Sequence, residues 1–116
     1  MSTGYSDLAN MIAATANDEN ASNVVILDLR ELTVLTDFFV IASGRSSVQV
    51  RGIADSIAKV MEQSGEKLLR REGYNEGRWL ILDYNGVIVH VFKQEDREFY
   101  QIEKLWGDAP VTAVTS

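Results

Sequence analysis

The residues able to do chemistry in this chain are few. A single histidine, His90, stands in "RWLILDYNGVIVHVF", and there is no cysteine. Thiol nucleophiles, disulfides and Cys-based zinc or iron–sulfur sites are thereby excluded, and one imidazole cannot make a poly-His metal site. A Ser-His-Asp arrangement would draw on Ser43, Ser46 or Ser47 and on Asp28 or Asp83, yet no G-x-S-x-G elbow presents a serine nucleophile. "ASGRSS", Ala42 to Ser47, ends an apolar run and opens a helical pattern, so its backbone N–H groups could face a phosphate. It lacks both the Walker A lysine pattern and G-x-G-x-x-G, and Ser46 with Gln49 reads as a capping box. No catalytic, metal or cofactor residue is assigned.

The elements that must position these residues follow from periodicity. Tyr5, Leu8, Ala9, Ile12, Ala13 and Ala16 mark one amphipathic helix, stopped by the polar stretch Asn17 to Asn23. "VVILDL" (Val24 to Leu29) and "FFVIASG" (Phe38 to Gly44) have the continuous apolar character of buried central strands. Val50, Ile53, Ala54, Ile57, Ala58, Val60 and Met61 form the stripe of a second helix between Ser46 and Ser64, with Gly65 at its C′ position. Lys67 to Arg71 reads as a short strand and Glu72 to Gly77 as a loop. A last helix is expected from Gln94 to Trp106, closed by Gly107 and Pro110, with residues 111–116 a flexible tail after a single domain of residues 1–110. The order predicts an α/β sandwich with a mixed sheet, because the late hairpin must be antiparallel.

That hairpin has two unlike faces. A two-residue type I′ turn at Asn85-Gly86 places Ile81 opposite His90 and Trp79 opposite Phe92. One face then carries Leu80, Leu82, Tyr84, Val87, Val89 and Val91, suited to burial under helices. The other carries Trp79, Ile81, Asp83, Ile88, His90 and Phe92, mixing aromatics with two ionisable groups. Either the last helix covers this mixed face and His90 is a half-buried strand residue, or the face stays open as a docking surface of the kind Trp, Tyr and Arg anchor.

At 116 residues, 46% hydrophobic and 24% charged, the chain has room for one core. No apolar run reaches the roughly 18 residues of a membrane span, and the N-terminus lacks signal- and transit-peptide patterns, so a cytoplasmic protein without a membrane partner is expected. The net charge of −6 repels a phosphate backbone. Direct nucleic-acid binding is disfavoured, and a basic protein partner is favoured.

"DFFVIASGRSS", "REGYNEGRWLILDYNGVIVHVF" and "REFYQIEKLWGDAP" together resemble the ribosomal silencing factor (Iojap-related) family over Leu8 to Pro110. The resemblance implies a nucleotidyltransferase-like sandwich without the chemistry, since "GRSS" is not followed by the carboxylate pair that would hold Mg²⁺ against a triphosphate. It also implies a non-enzymatic factor that binds the large ribosomal subunit through its ribosomal protein fourteen, blocks joining of the small subunit, and represses translation when nutrients are short. The partner-binding candidates are Trp79, Ile81, His90 and Phe92 as apolar or aromatic contacts, with Asp83, Glu72 and Glu76 facing basic groups. On the last helix Arg97, Tyr100 and Lys104 form a second-rank stripe, while Phe99, Ile102 and Trp106 are expected in the core. An exposed aromatic patch is compatible with a homodimer of the free protein through the same face. The alternative is a nucleotide-binding or nucleotidyltransferase-like enzyme using Gly44 to Ser47.

Overall fold

The structure is a computed structural model that describes residues 4–114. Helix α1 (Tyr5–Asp18) leads into strands β1 (Ser22–Asp28) and β2 (Phe38–Gly44), then helix α2 (Ser47–Gln63). Strands β3 (Arg70–Glu72), β4 (Trp79–Asp83) and β5 (Val87–Lys93) follow, then helices α3 (Gln94–Tyr100) and α4 (Ile102–Leu105) and strand β6 (Val111–Val114). They build one six-stranded mixed sheet in the order β3-β4-β5-β2-β1-β6. Among the described residues only β2 and β5 pair in parallel, and the α/β sandwich expected from the element order is present.

Helices α1 and α2 cover one face. The buried rows Leu8, Ala9, Ile12, Ala13 and Ala16 of α1 and Val50, Ile53, Ala54, Ile57 and Met61 of α2 meet the aliphatic face of the hairpin. Burying these rows supplies the main driving force for the layer, at about 25 cal/mol per Å² of apolar surface. Ser46 caps α2 by accepting the Gln49 N–H at 3.1 Å, and Gly65 takes the left-handed φ of +81° that ends it. The Gln49 side chain accepts the Arg45 N–H at 2.6 Å, so Ser46 and Gln49 close the Gly44 to Ser47 loop on itself.

Several elements depart from the sequence expectation. The short strand is Arg70–Glu72 rather than Lys67 to Arg71, so Glu72 leaves the loop and stands opposite Ile81. The hairpin register is as read, Trp79 opposite Phe92 and Ile81 opposite His90, but the turn is not type I′. Asn85 alone has a left-handed φ, 74°, and a Cβ on Gly86 would lie 2.3 Å from the Tyr5 ring. Glycine is required there for close approach to α1.

The single helix expected from Gln94 to Trp106 is broken at Gln101, whose φ and ψ of 47° and 49° end α3 and start α4 in a new direction. Residues Val111–Val114, read as part of a loose tail, pair with β1 instead, Leu27 opposite Val111 and Val24 opposite Val114. The Asn17 side chain donates to the Val114 carbonyl at 3.1 Å and ties that strand to α1.

Candidate functional site

Alternation along β4 and β5, and the parallel pairing of β5 with β2, put Trp79, Ile81, Asp83, Ile88, His90, Phe92, Phe39, Ile41 and Ser43 on the face away from α1 and α2. Helices α3 and α4 reach across only part of it. Leu27, Leu29, Ile41, Phe92, Ile102 and Ala109 form a second buried cluster beneath them. Beyond that cover, Trp79, Ile81, Ile88 and Phe39 remain half-buried, an apolar floor between Trp79 and Tyr100 on one side and Trp106 on the other.

His90 lies within this floor. It is 6% exposed, and its Nδ1 accepts the Trp79 indole N–H at 3.0 Å, which leaves the proton of the neutral ring on Nε2. Nε2 has no hydrogen-bond partner among the described residues. Burial pushes the His90 pKa down to about 4, because a charged imidazolium would be stranded among Phe39, Trp79 and Phe92 rings. A histidine so placed is neutral near pH 7, and no serine or carboxylate oxygen of the described residues hydrogen-bonds to it. The docking candidate His90 is therefore part of the floor rather than an exposed contact. Phe92, fully buried with the Trp79 ring stacked 5.0 Å away, is corrected in the same way.

The remaining candidates divide between two places. Trp79, Ile81 and Asp83 border the open floor, and Tyr100, 49% exposed, rests its ring 4.8 Å from Trp79. Asp83 accepts the Asn85 N–H at 2.8 Å and faces Arg70 at 3.8 Å, while Glu72 faces the same arginine at 3.5 Å. Glu76 is exposed on the loop leading to β4. Arg97 and Lys104 sit elsewhere, lining a cleft between the helix break and the start of β1. Arg97 is buried and hydrogen-bonded to Ser43, Asn23 and Glu103, so it is a clip between layers and not an exposed contact.

The sequence reading missed Phe39 and the exposure of Phe99. Phe39 contacts His90 at 4.4 Å and Trp106 at 6.0 Å. Strict alternation through "FFVIASG" would have put one phenylalanine on each face, which was the available signal. Phe99, expected in the core, is 77% exposed because the break at Gln101 removes it from the Ile102 row. Ile102 is buried as expected, and Trp106 is half-buried.

Residues 3–116 match the family model described as ribosomal silencing factor during starvation. A ribosomal silencing factor of Halalkalibacterium halodurans is 39% identical over 104 residues, covering 90% of this chain and 89% of the relative. The Bacillus subtilis ribosomal silencing factor is 36% identical over 104 residues, covering 90% and 88%. The chloroplastic protein Iojap of maize is 31% identical over 101 residues, 84% of this chain and 42% of that longer protein. Among solved structures, a Chromobacterium violaceum protein superimposes with a TM-score of 0.88 at 28% identity, covering 90% of this chain and 88% of that one. A Bacillus halodurans protein superimposes with a TM-score of 0.83 at 35% identity, covering 94% and 99%.

Proposed function

The chain belongs to the ribosomal silencing factor family, and from that premise we propose that it docks on the large ribosomal subunit through that subunit's ribosomal protein fourteen and stands where the small subunit would join. Translation is held down by occupancy alone. The reading needs no catalytic group, and it makes the protein a non-enzymatic binding factor of the cytoplasm.

The observation that carries this reading is the uncovered part of the sheet's second face. Trp79, Ile81, Ile88 and Phe39 offer a continuous apolar surface with Tyr100 at its edge, while Glu72, Glu76 and Asp83 lie on β3, β4 and the loop between them. Such an apolar centre with a charged rim is the anatomy of a protein interface. The rim carboxylates, two of which share Arg70 as a neighbour, outnumber that cation, and with the net charge of −6 they complement a basic ribosomal protein and are repelled by the RNA around it. A standard interface removes about 800 Å² from each partner, so docking would engage the loops around this face as well as its floor.

Sedimentation of purified subunits on sucrose gradients, with and without the protein, tests the proposal. Co-migration with the large subunit and loss of joined ribosomes are expected. Ile81→Lys and Asp83→Lys place positive charge against a basic partner, so each should lower retention on the large subunit by about tenfold, or ~1.4 kcal/mol, while the domain stays folded by circular dichroism. Normal joining in the presence of excess protein, or full retention of both variants, would overturn the docking assignment.

A further inference from the structure

The cleft that holds Arg97 and Lys104 is separate from the docking floor. Its volume is ≈ 370 Å³, and Asn23, Ser43, Arg97, Glu98, Glu103 and Lys104 are among its lining residues. Small-molecule sites begin at about 300 Å³, so the cleft suits a compact ligand.

Its charges are arranged in an unusual way. Arg97 is 9% exposed; its Nη1 donates to the Asn23 carbonyl at 2.7 Å and to Ser43 Oγ at 2.8 Å, and its Nε donates to Glu103 Oε1 at 2.8 Å. Its Nη2 has no acceptor, and Glu103 Oε2 no donor, among the described residues. Glu98 and Lys104 are both exposed on the cleft and form no ion pair among the described residues. Arg97 and Glu103 neutralise each other as an ion pair, so among the described residues the charges left without a partner on this cleft are one positive, Lys104, and one negative, Glu98. A simple anion would meet the unpaired Glu98, and a simple cation would meet the unpaired Lys104. A zwitterion meets neither penalty.

We propose that this cleft binds a free α-amino acid, its carboxylate received by Arg97 Nη2 and Lys104 and its ammonium group by Glu98 and Glu103. The two head groups of an α-amino acid are one carbon apart, which matches opposite charges converging on one cleft, and Val25 supplies an apolar wall for its side chain. The buried Arg97 is fixed in place by three hydrogen bonds that occupy Nε and Nη1, so it offers a carboxylate one preorganised donor nitrogen, Nη2, rather than a two-point fork.

Occupancy has a route to the docking floor. Glu98 lies on α3 and Lys104 on α4, on opposite sides of the left-handed Gln101, and a ligand held by both ties the two helices together across that break. Tyr100, the last residue of α3, carries its ring 4.8 Å from Trp79. That a ribosome would sense the ligand rests on the proposed docking surface; the binding itself does not.

The test is an amide proton–nitrogen correlation spectrum of the full chain, titrated with the standard L-α-amino acids at about 1 mM each, first pooled and then singly. Sodium acetate and methylammonium chloride at equal concentration serve as single-charge controls. At least one amino acid should shift the Asn23, Ser43 and Gln101 amides and the Arg97 Nε–H, with the Trp79 indole N–H following, while both controls leave them in place. Glu98→Gln and Lys104→Ala, both at exposed positions, should each weaken binding by about fivefold or more without altering the rest of the spectrum. No response to any amino acid at about 10 mM, an equal response to acetate, or unchanged affinity in both variants overturns the site. Amide shifts with a stationary Trp79 indole overturn its link to the docking floor.

Discussion

His90 shows how one buried ring decides between chemistry and architecture. Its Nδ1 takes the Trp79 indole N–H, its Nε2 is buried without a partner, and burial lowers its pKa to about 4. In the unfolded chain the ring titrates near 6.5. Between these values the unfolded state binds a proton that the folded state refuses, so stability falls as pH drops from 6.5 toward 4, and this contribution is fully present only above 6.5. From about pH 7.5 to pH 5 the linkage amounts to ~2 kcal/mol. Urea unfolding at those two pH values should show the parent losing that much more stability than His90→Phe, in which the titration is gone. The same variant removes the orphaned Nε2 donor but also takes away the acceptor of the Trp79 indole N–H, two effects of about 1–3 kcal/mol that oppose each other, so near neutrality its stability should stay within about 2 kcal/mol of the parent. Equal pH dependence in the two proteins would show that the ring is not buried neutral. The sequence revealed which face His90 occupies but not its depth, because the Phe39, Phe92 and Trp79 rings that enclose it come from three strands whose packing is tertiary.

At the scale of elements, the parts legible in the sequence were those specified locally. A two-residue turn fixes the β4–β5 register whatever its type, and the Ser46 and Gln49 cap with Gly65 bounds α2 from both ends. The break between α3 and α4 was hidden because Gln101 is an ordinary residue held in a left-handed conformation that glycine or asparagine would have announced. Strand β6 was hidden for a different reason. Four residues after Pro110 become a strand only because β1 offers them an edge, and no periodicity in "VTAV" identifies that partner. One glycine connects element geometry to the proposed docking floor. Gly73 has a φ of +75°, and a Cβ there would lie 2.0 Å from the Trp79 carbonyl oxygen, so the loop can approach β4 only without a side chain. Gly73→Ala is expected to cost about 2 kcal/mol or more through the left-handed strain and the displaced backbone. Chemical denaturation should read that loss, and sedimentation with the large subunit should read weaker retention because Trp79 is displaced. A variant as stable as the parent would mean that the loop relaxes freely and does not position β4.

For the whole molecule, the governing quantity is charge. Lysine and arginine number 11 against 17 aspartates and glutamates, a net of −6 spread over one small domain. In the proposed docking, long-range attraction to a basic ribosomal protein would act before contact, so it would accelerate encounter more than it slows release. Salt distinguishes the two, since the Debye length shrinks from about 10 Å at 0.1 M to about 3 Å at 1 M. Stopped-flow association with purified large subunits should therefore slow by about tenfold between ~0.05 and ~0.3 M monovalent salt, with dissociation changing by less than about twofold. Glu76→Gln tests the rim without touching the fold, because Glu76 is exposed and makes no ion pair among the described residues. It should lower the association rate at low salt and converge with the parent at high salt. A salt effect confined to dissociation would place charges inside the desolvated contact. Faster association with added salt would mean that RNA phosphates rather than basic side chains dominate the approach, and the partner surface would have to be sought away from a basic protein.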